Sequence, residues 1–232
     1  MENYFKNLYP SLSKSQTFLL PNLLPESACR VSFGDDTELK TKLIKPLRLH
    51  KTGKVILFAG SFKFSAGVLE LIKSFQQTLT KYPDLSLILI GDGPTFSDCF
   101  EYVQKNELQS HIQFLGLTPH NHLPVYQSIA DIIICPDQMN SFSDKIVHLK
   151  YLDALLANKV VINGDFNSVL EINKDENLSV GFNPSSPKSL THKILRVLEN
   201  FDNFKVKYSN TRKYACMHLT YKKYIENLPP SL

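Results

Sequence analysis

Asp153 is the residue whose chemistry needs a reason. It stands in KYLDALLANK, three residues before LANKVVINGDFNSVLEI (156–172). That second stretch reads as the end of a buried strand, Lys159-Val160-Val161-Ile162. The turn Asn163-Gly164-Asp165 follows, then a segment that reaches Glu171. A carboxylate one helical segment ahead of a buried strand either serves something held at the strand ends or sits on an exposed helix face. A second set of candidates is the glycines that close apolar runs. In AGSFKFSAG, Gly60 lets the backbone turn sharply, and the next helix would aim its N-terminal amides at the strand end, a ready anion site. The alternative is a tight strand-to-helix turn with no ligand. Gly91-Asp92-Gly93-Pro94 repeats the pattern. A G-x-G-x-x-G dinucleotide fingerprint would need Gly at 96, where Phe96 stands, so this reads as a turn. There is no H-E-x-x-H, no G-x-S-x-G elbow and no P-loop. His120 and His122 fall in a Pro/Asn-rich loop and read as solvated.

These residues need a scaffold. Before about residue 50 the text is rich in Pro, Ser and charge; after it, strands and helices alternate. KVILFAG (54–60) is continuously apolar, as a strand covered on both faces would be. AGVLELIKSFQQTLTKY (66–82) carries Val68, Leu71, Ile72, Phe75 and Leu79 at helical spacing. LSLILIGDGP (85–94), HIQFLG (111–116), DIIICP (131–136), KVVIN (159–163) and LSVGF (178–182) supply further strands. Helices are expected over about 95–107, 123–130, 144–158, 187–201 and 203–227. The alternation implies βαβ units and a doubly wound parallel sheet of the α/β class. Ligands of such sheets sit at the carboxyl ends of the strands, near the point where strand order reverses.

Composition narrows the function. The chain has 232 residues, 43% apolar and 21% charged, and a net charge of +4. That describes a globular protein able to bury a sizeable core. The mild charge suits an anionic small molecule or weak contact with an anionic membrane surface. It falls short of the dense basic patch expected for nucleic acid. Cys29, Cys99, Cys135 and Cys216 form no C-x-x-C pair and read as reduced thiols of a cytoplasmic protein, with Cys135 in the core. No apolar run approaches a membrane span, and the N-terminus lacks the apolar region of a signal peptide.

The ordered set KVILFAGSF, LILIGDGP, IQFLGLTPHNHLPVYQSIADIIICP, LDALLANKVVINGDFNSVLEI, ENLSVGFNP and SLTHKILRVLENF resembles the C-terminal half of a family 4 (group 1) glycosyltransferase of the GT-B fold. The match runs over about 54–228. The closing NTRKYACMHLTYKKYIENL has Tyr221 where the family commonly has Trp. LLPNLLPESACRVSF (19–33) resembles the linker between the two halves, and NYFKNLYPSLSKSQTFLLPN the end of a first half. The resemblance therefore implies a remnant of the N-terminal domain and linker over 1–50, a Rossmann-like nucleotide-sugar domain over 51–202, and a closing helix and tail over 203–232.

By the same resemblance the ligand is a nucleotide-diphosphate sugar, used without a metal and with retention of configuration. Asp153 takes the place of the family's Glu that accepts from the ribose hydroxyls, work that suits a carboxylate. The base would lie near Leu115, Gly116 and Leu117, and the phosphates over Gly60, Ser61 and the next helix, with Gly91 nearby. Glu171 matches the Glu after the family's paired-glycine turn, where Asn167 and Ser168 replace the glycines. Three positions depart from the family: Ser61 and Ala66 stand where two phosphate-binding cations are usual, and Lys145 where a sugar-binding Glu is usual. Lys63 lies two residues from Ser61, and Lys150 reads as half of a helix-surface ion pair. Two functions stay open: the donor-binding half of a transferase, which either needs a separate partner chain carrying the first half or is a truncated product, or a non-catalytic module that kept the fold as a partner subunit or remnant. Peripheral membrane contact fits lipid-linked acceptors.

Overall fold

A computed structural model describes residues 22–34 and 36–226. The expected end of a first half, over 3–22, lies outside them except for Asn22. Six strands form one parallel sheet: β1 (Val55–Ala59), β2 (Ser86–Ile90), β3 (Ile112–Gly116), β4 (Ile132–Cys135), β5 (Val160–Gly164) and β6 (Val180–Phe182). Their order is β3-β2-β1-β4-β5-β6. Val55 pairs with Ser86, Ile56 with Ile132, Ile132 with Val160 and Ile162 with Val180. The order reverses between β1 and β4, so the switch point lies at Ala59 and Cys135. This is the doubly wound sheet expected from the sequence.

The helices are α1 (Thr37–Ile44), α2 (Val68–Leu79), α3 (Phe96–Lys105), α4 (Leu123–Ile129), α5 (Leu149–Leu155), α6 (Asn167–Leu170), α7 (Pro187–Glu199), α8 (Phe201–Lys207), α9 (Thr211–His218) and α10 (Tyr221–Glu226). Strand side chains alternate between two cores. Ile56 and Phe58 join Leu71, Phe75, Val103 and Ile194 on one face. Val55 and Leu57 join Tyr126, Tyr151, Leu155 and Ala215 on the other. That double burial explains why the strands read as continuous apolar runs rather than alternating ones. Each fully buried Val, Leu, Ile or Phe among them contributes about 1.5–3 kcal/mol.

Two elements differ from expectation. The single helix expected over 203–227 is three short helices, α8, α9 and α10. The helix expected over 144–158 begins only at Leu149. Its first residues form a 3₁₀ turn, Ser143–Lys145, and His148 is extended at φ −70°, ψ 135°. Asp144 is taken up in holding α6: its carboxylate accepts from the Asn167 amide at 3.0 Å and from Asn167 Nδ2 at 2.7 Å.

The chain before β1 is clasped to the last helices. Leu24 N–H donates to Leu219 O at 2.8 Å, and Tyr221 N–H to Leu24 O at 3.0 Å. Arg212 Nη2 donates to the carbonyls of Cys29 and Val31 at 2.9 and 2.6 Å. Cys29 and Cys216 are joined in a disulfide, with Cα atoms 5.7 Å apart and 187 residues between them in sequence. This corrects the expectation of four reduced thiols. Spacing along the chain hides the pair because only the folded path brings the linker onto α9. Cys99 and Cys135 are free and buried. Among the described residues, no helix is long and apolar enough to cross a membrane.

Candidate functional site

A cavity of about 430 Å3 opens at the carboxyl ends of β1, β2 and β4. Its floor is glycine for a steric reason. Gly60 N–H donates to Ile90 O at 2.9 Å, which draws the ends of β1 and β2 together. A Cβ on Gly91, where φ is +129°, would fall 1.9 Å from Gly60 O. The next residues lock the two loops. Phe62 N–H donates to Asp92 O, and both the amide and the hydroxyl of Thr95 donate to Phe62 O, each at 2.9 Å. The Phe62 ring is fully buried edge-on to Phe58, with centroids 5.8 Å apart. The β1–α2 loop is thus fixed by an aromatic anchor, while Ser61 faces the cavity.

The other wall comes from α4 and α5. Gln127 and Asp153 line it. Asp153 is half-buried, and its carboxylate accepts no hydrogen bond from the described residues. Burial raises its pKa above the ordinary carboxylate value; His120, at the cavity mouth, acts in the opposite direction. A half-buried carboxylate without a protein partner costs free energy unless a ligand supplies donors. Gln127 is buried, and its amide likewise finds no partner among the described residues. Cys135 also lines the cavity, but burial pushes its thiol up to about 12, so it is no nucleophile at neutral pH. The arrangement can bind an anion beside a group rich in hydroxyls. It offers no nucleophile–base pair of its own.

One turn before Asp153, Lys150 enters the same cavity. Its Nζ is 2.8 Å from Asp137 Oδ1 and 5.4 Å from the Phe58 ring centroid. It was expected on the helix surface, and its side chain is only 19% exposed. The spacing from Asp153 carried the signal, because residues three apart share a helix face. His120 was expected in solvent; it is exposed, yet it borders the cavity.

Known proteins resemble this chain in sequence and in fold. The model of the family described as glycosyl transferases group 1 matches residues 40–215. This chain belongs to that family. The alpha-monoglucosyldiacylglycerol synthase of Streptococcus pneumoniae is 24% identical over 129 residues, which is 54% of this chain and 28% of that protein. The C-terminal domain of a glycosyl transferase group 1 family protein from Francisella tularensis superposes with a TM-score of 0.67 at 19% identity, covering 85% of this chain and 99% of that domain. The Anabaena protein HepE, solved in complex with UDP-glucose, superposes with a TM-score of 0.72 at 15% identity, covering 90% of this chain and 55% of that one. The structural likenesses concern the fold. This chain matches less than a third of the curated relative and about half of the Anabaena protein.

Of the residues singled out in the sequence, Gly60, Ser61, Gly91, Leu117 and Asp153 line the cavity. Leu115 and Gly116 end β3 and are not among the lining residues. Lys145 lies in the exposed turn before α5, and Glu171 is exposed at the end of α6; neither is among the lining residues. Lys63 is exposed in the β1–α2 loop and does not line the cavity either.

Proposed function

We propose that this chain is the donor-binding half of a group 1 glycosyltransferase and holds a nucleotide-diphosphate sugar in the cavity at the strand ends. The observation that carries the reading is the Asp153 carboxylate, half-buried and without a partner among the described residues, across the cavity from the glycine floor. Two adjacent hydroxyls of a ribose would satisfy it. The phosphates fit beside Gly60 and Ser61, which contribute no bulky side chain of their own. The base fits toward Leu117 at the β3 end. The acceptor would approach from the open side, on a surface supplied by an N-terminal half, and acceptors held at a membrane surface are compatible with that geometry.

The test is a titration of the purified chain with UDP, GDP, ADP, CDP and dTDP and their hexose conjugates, followed by calorimetry or thermal shift. A dissociation constant below about 1 mM, equivalent to about 4 kcal/mol, is expected for at least one of them, and Asp153→Ala should abolish it. Silence from every nucleotide would overturn the reading.

A further inference from the structure

The cavity needs a positive charge if it takes a diphosphate, and the β1–α2 loop does not bring one. Ser61 lines the floor, whereas Lys63 points elsewhere than the cavity lining. Among the described residues that line the cavity, Lys150 is the sole Lys or Arg. We propose that Lys150, delivered by α5 across the switch point, is the residue that binds the donor's phosphate groups, with Asp137 as its positioning residue. The proposal rests on the donor-site reading above.

The geometry supports it in three ways. First, the lysine stem runs over the glycine floor: a Cβ built on Gly60 would lie 3.6 Å from Lys150 Cδ and 3.3 Å from the Phe58 ring. The ammonium therefore sits at the junction of β1 and β4, where a doubly wound sheet receives its ligand. Second, an ammonium has three donors. One is used, toward Asp137 Oδ1 at 2.8 Å. The 19% of the side chain that is exposed leaves room for an anion to take the others. Third, the pair is poorly finished as a structural ion pair. Asp137 is 3% exposed, yet its Oδ2 has no partner, and the nearby His148 leaves a buried Nε2 unpaired. His148 Nδ1 lies 3.9 Å from Asp137 Oδ1. Burying two charges carries a desolvation penalty that one hydrogen bond offsets poorly. An anion can take the open donors of the Lys150 ammonium, whereas the open Asp137 Oδ2 calls for a donor.

The experiment compares the nucleoside diphosphate that binds best with its parent nucleoside, measured by calorimetry. Four proteins are used: the native chain, Lys150→Arg, Lys150→Met, and Lys150→Met combined with Asp137→Asn, which removes both charges and keeps the site neutral. The native chain should bind the diphosphate more tightly than the nucleoside. Both proteins with Met should lose about 10- to 100-fold in diphosphate affinity, the range of a charge-assisted contact, with nucleoside affinity unchanged; Arg should retain most of it. Native-level diphosphate binding by the neutral double variant would overturn the proposal and leave the donor site standing. So would a parallel loss of nucleoside and diphosphate binding in the folded double variant, since that marks a structural prop. A native chain that binds neither probe overturns the donor-site reading and this proposal together.

Discussion

Lys150 and Asp137 meet at 2.8 Å beneath the ends of β1 and β4, and Asp153 lies one turn further along the helix that carries Lys150. A cation and a carboxylate without a protein partner are thereby presented to one cavity by a single seven-residue helix. Breaking the ion pair from one side should be harmful to the fold. Asp137→Asn leaves the Lys150 ammonium largely buried without its counter-charge, a change that typically costs about 3–5 kcal/mol. Adding Lys150→Met to it should recover most of the loss. Urea unfolding of the two single variants and the double variant should give strongly non-additive energies; simple additivity would show that the pair does not couple.

Asp153 sets a pH dependence. Burial raises its pKa in the fold, so folding favours the neutral acid and the ionised form is penalised. The contribution of Asp153 to stability is therefore fully present below the ordinary carboxylate pKa and is lost as pH rises through the raised value. Asp153→Asn should be more stable than the native chain at pH 7, and the advantage should vanish in acid; melting temperature against pH reads this directly. Binding moves in the opposite sense. The ionised carboxylate is the better acceptor for hydroxyls, so nucleotide affinity should weaken as pH falls through the raised pKa, and the Asn variant should show no such step. His120 is the charged neighbour that opposes the shift, so His120→Gln should move the step to higher pH.

The disulfide predicts a thiol count. Four cysteines less the Cys29–Cys216 pair leaves two, Cys99 and Cys135. Denatured protein without reductant should titrate two thiols, and reduced protein four. Closing a loop across 187 residues lowers the entropy of the unfolded chain, worth at most about 5 kcal/mol on the loop-entropy account. Reduction should lower the urea midpoint and loosen the 22–34 segment first, because the hydrogen bonds of Leu24 and Arg212 and the packing of Leu23 and Leu24 into the core then hold it without a covalent tie. Four free thiols in unreduced protein would refute the pairing.

The sheet was legible because its strands are continuously apolar and end on glycine. VILFA and SLILI cannot be one-faced strands, and the order of elements then dictates a doubly wound topology. Gly60 and Gly91, which line the cavity, stood out because they close apolar strands, and Asp153 because it is a carboxylate one helical segment ahead of a buried strand. What escaped depends on separations that no local pattern encodes. Cys29 meets Cys216, and Arg212 meets Cys29 O, only once the closing helices turn back on the linker. Lys150 looked like a surface lysine because its partner, Asp137, lies thirteen residues away on a strand-end loop rather than on the same helix. The late start of α5 hid in the extended His148, whose ring packs against Phe166 at 5.9 Å.

Two glycines that share a positive φ should respond differently to alanine. Gly91 has φ +129°, and its Cβ would fall 1.9 Å from the carbonyl oxygen of Gly60. That oxygen is backbone and belongs to a residue whose own amide is tied to Ile90, so it cannot step aside without separating β1 from β2. Gly91→Ala should add the clash to a strained backbone costing about 1–3 kcal/mol, and should disrupt the cavity floor. Gly116 has φ +65°, and nothing lies within 4 Å of its Cβ position. Gly116→Ala then meets only the left-handed backbone penalty, about 1–2 kcal/mol, and should keep nucleotide binding. Melting temperatures and titrations of the two variants separate a glycine needed for close approach from one needed for conformation. If Gly91→Ala binds nucleotide as well as Gly116→Ala does, the floor formed by Gly60 and Gly91 is not where the ligand rests.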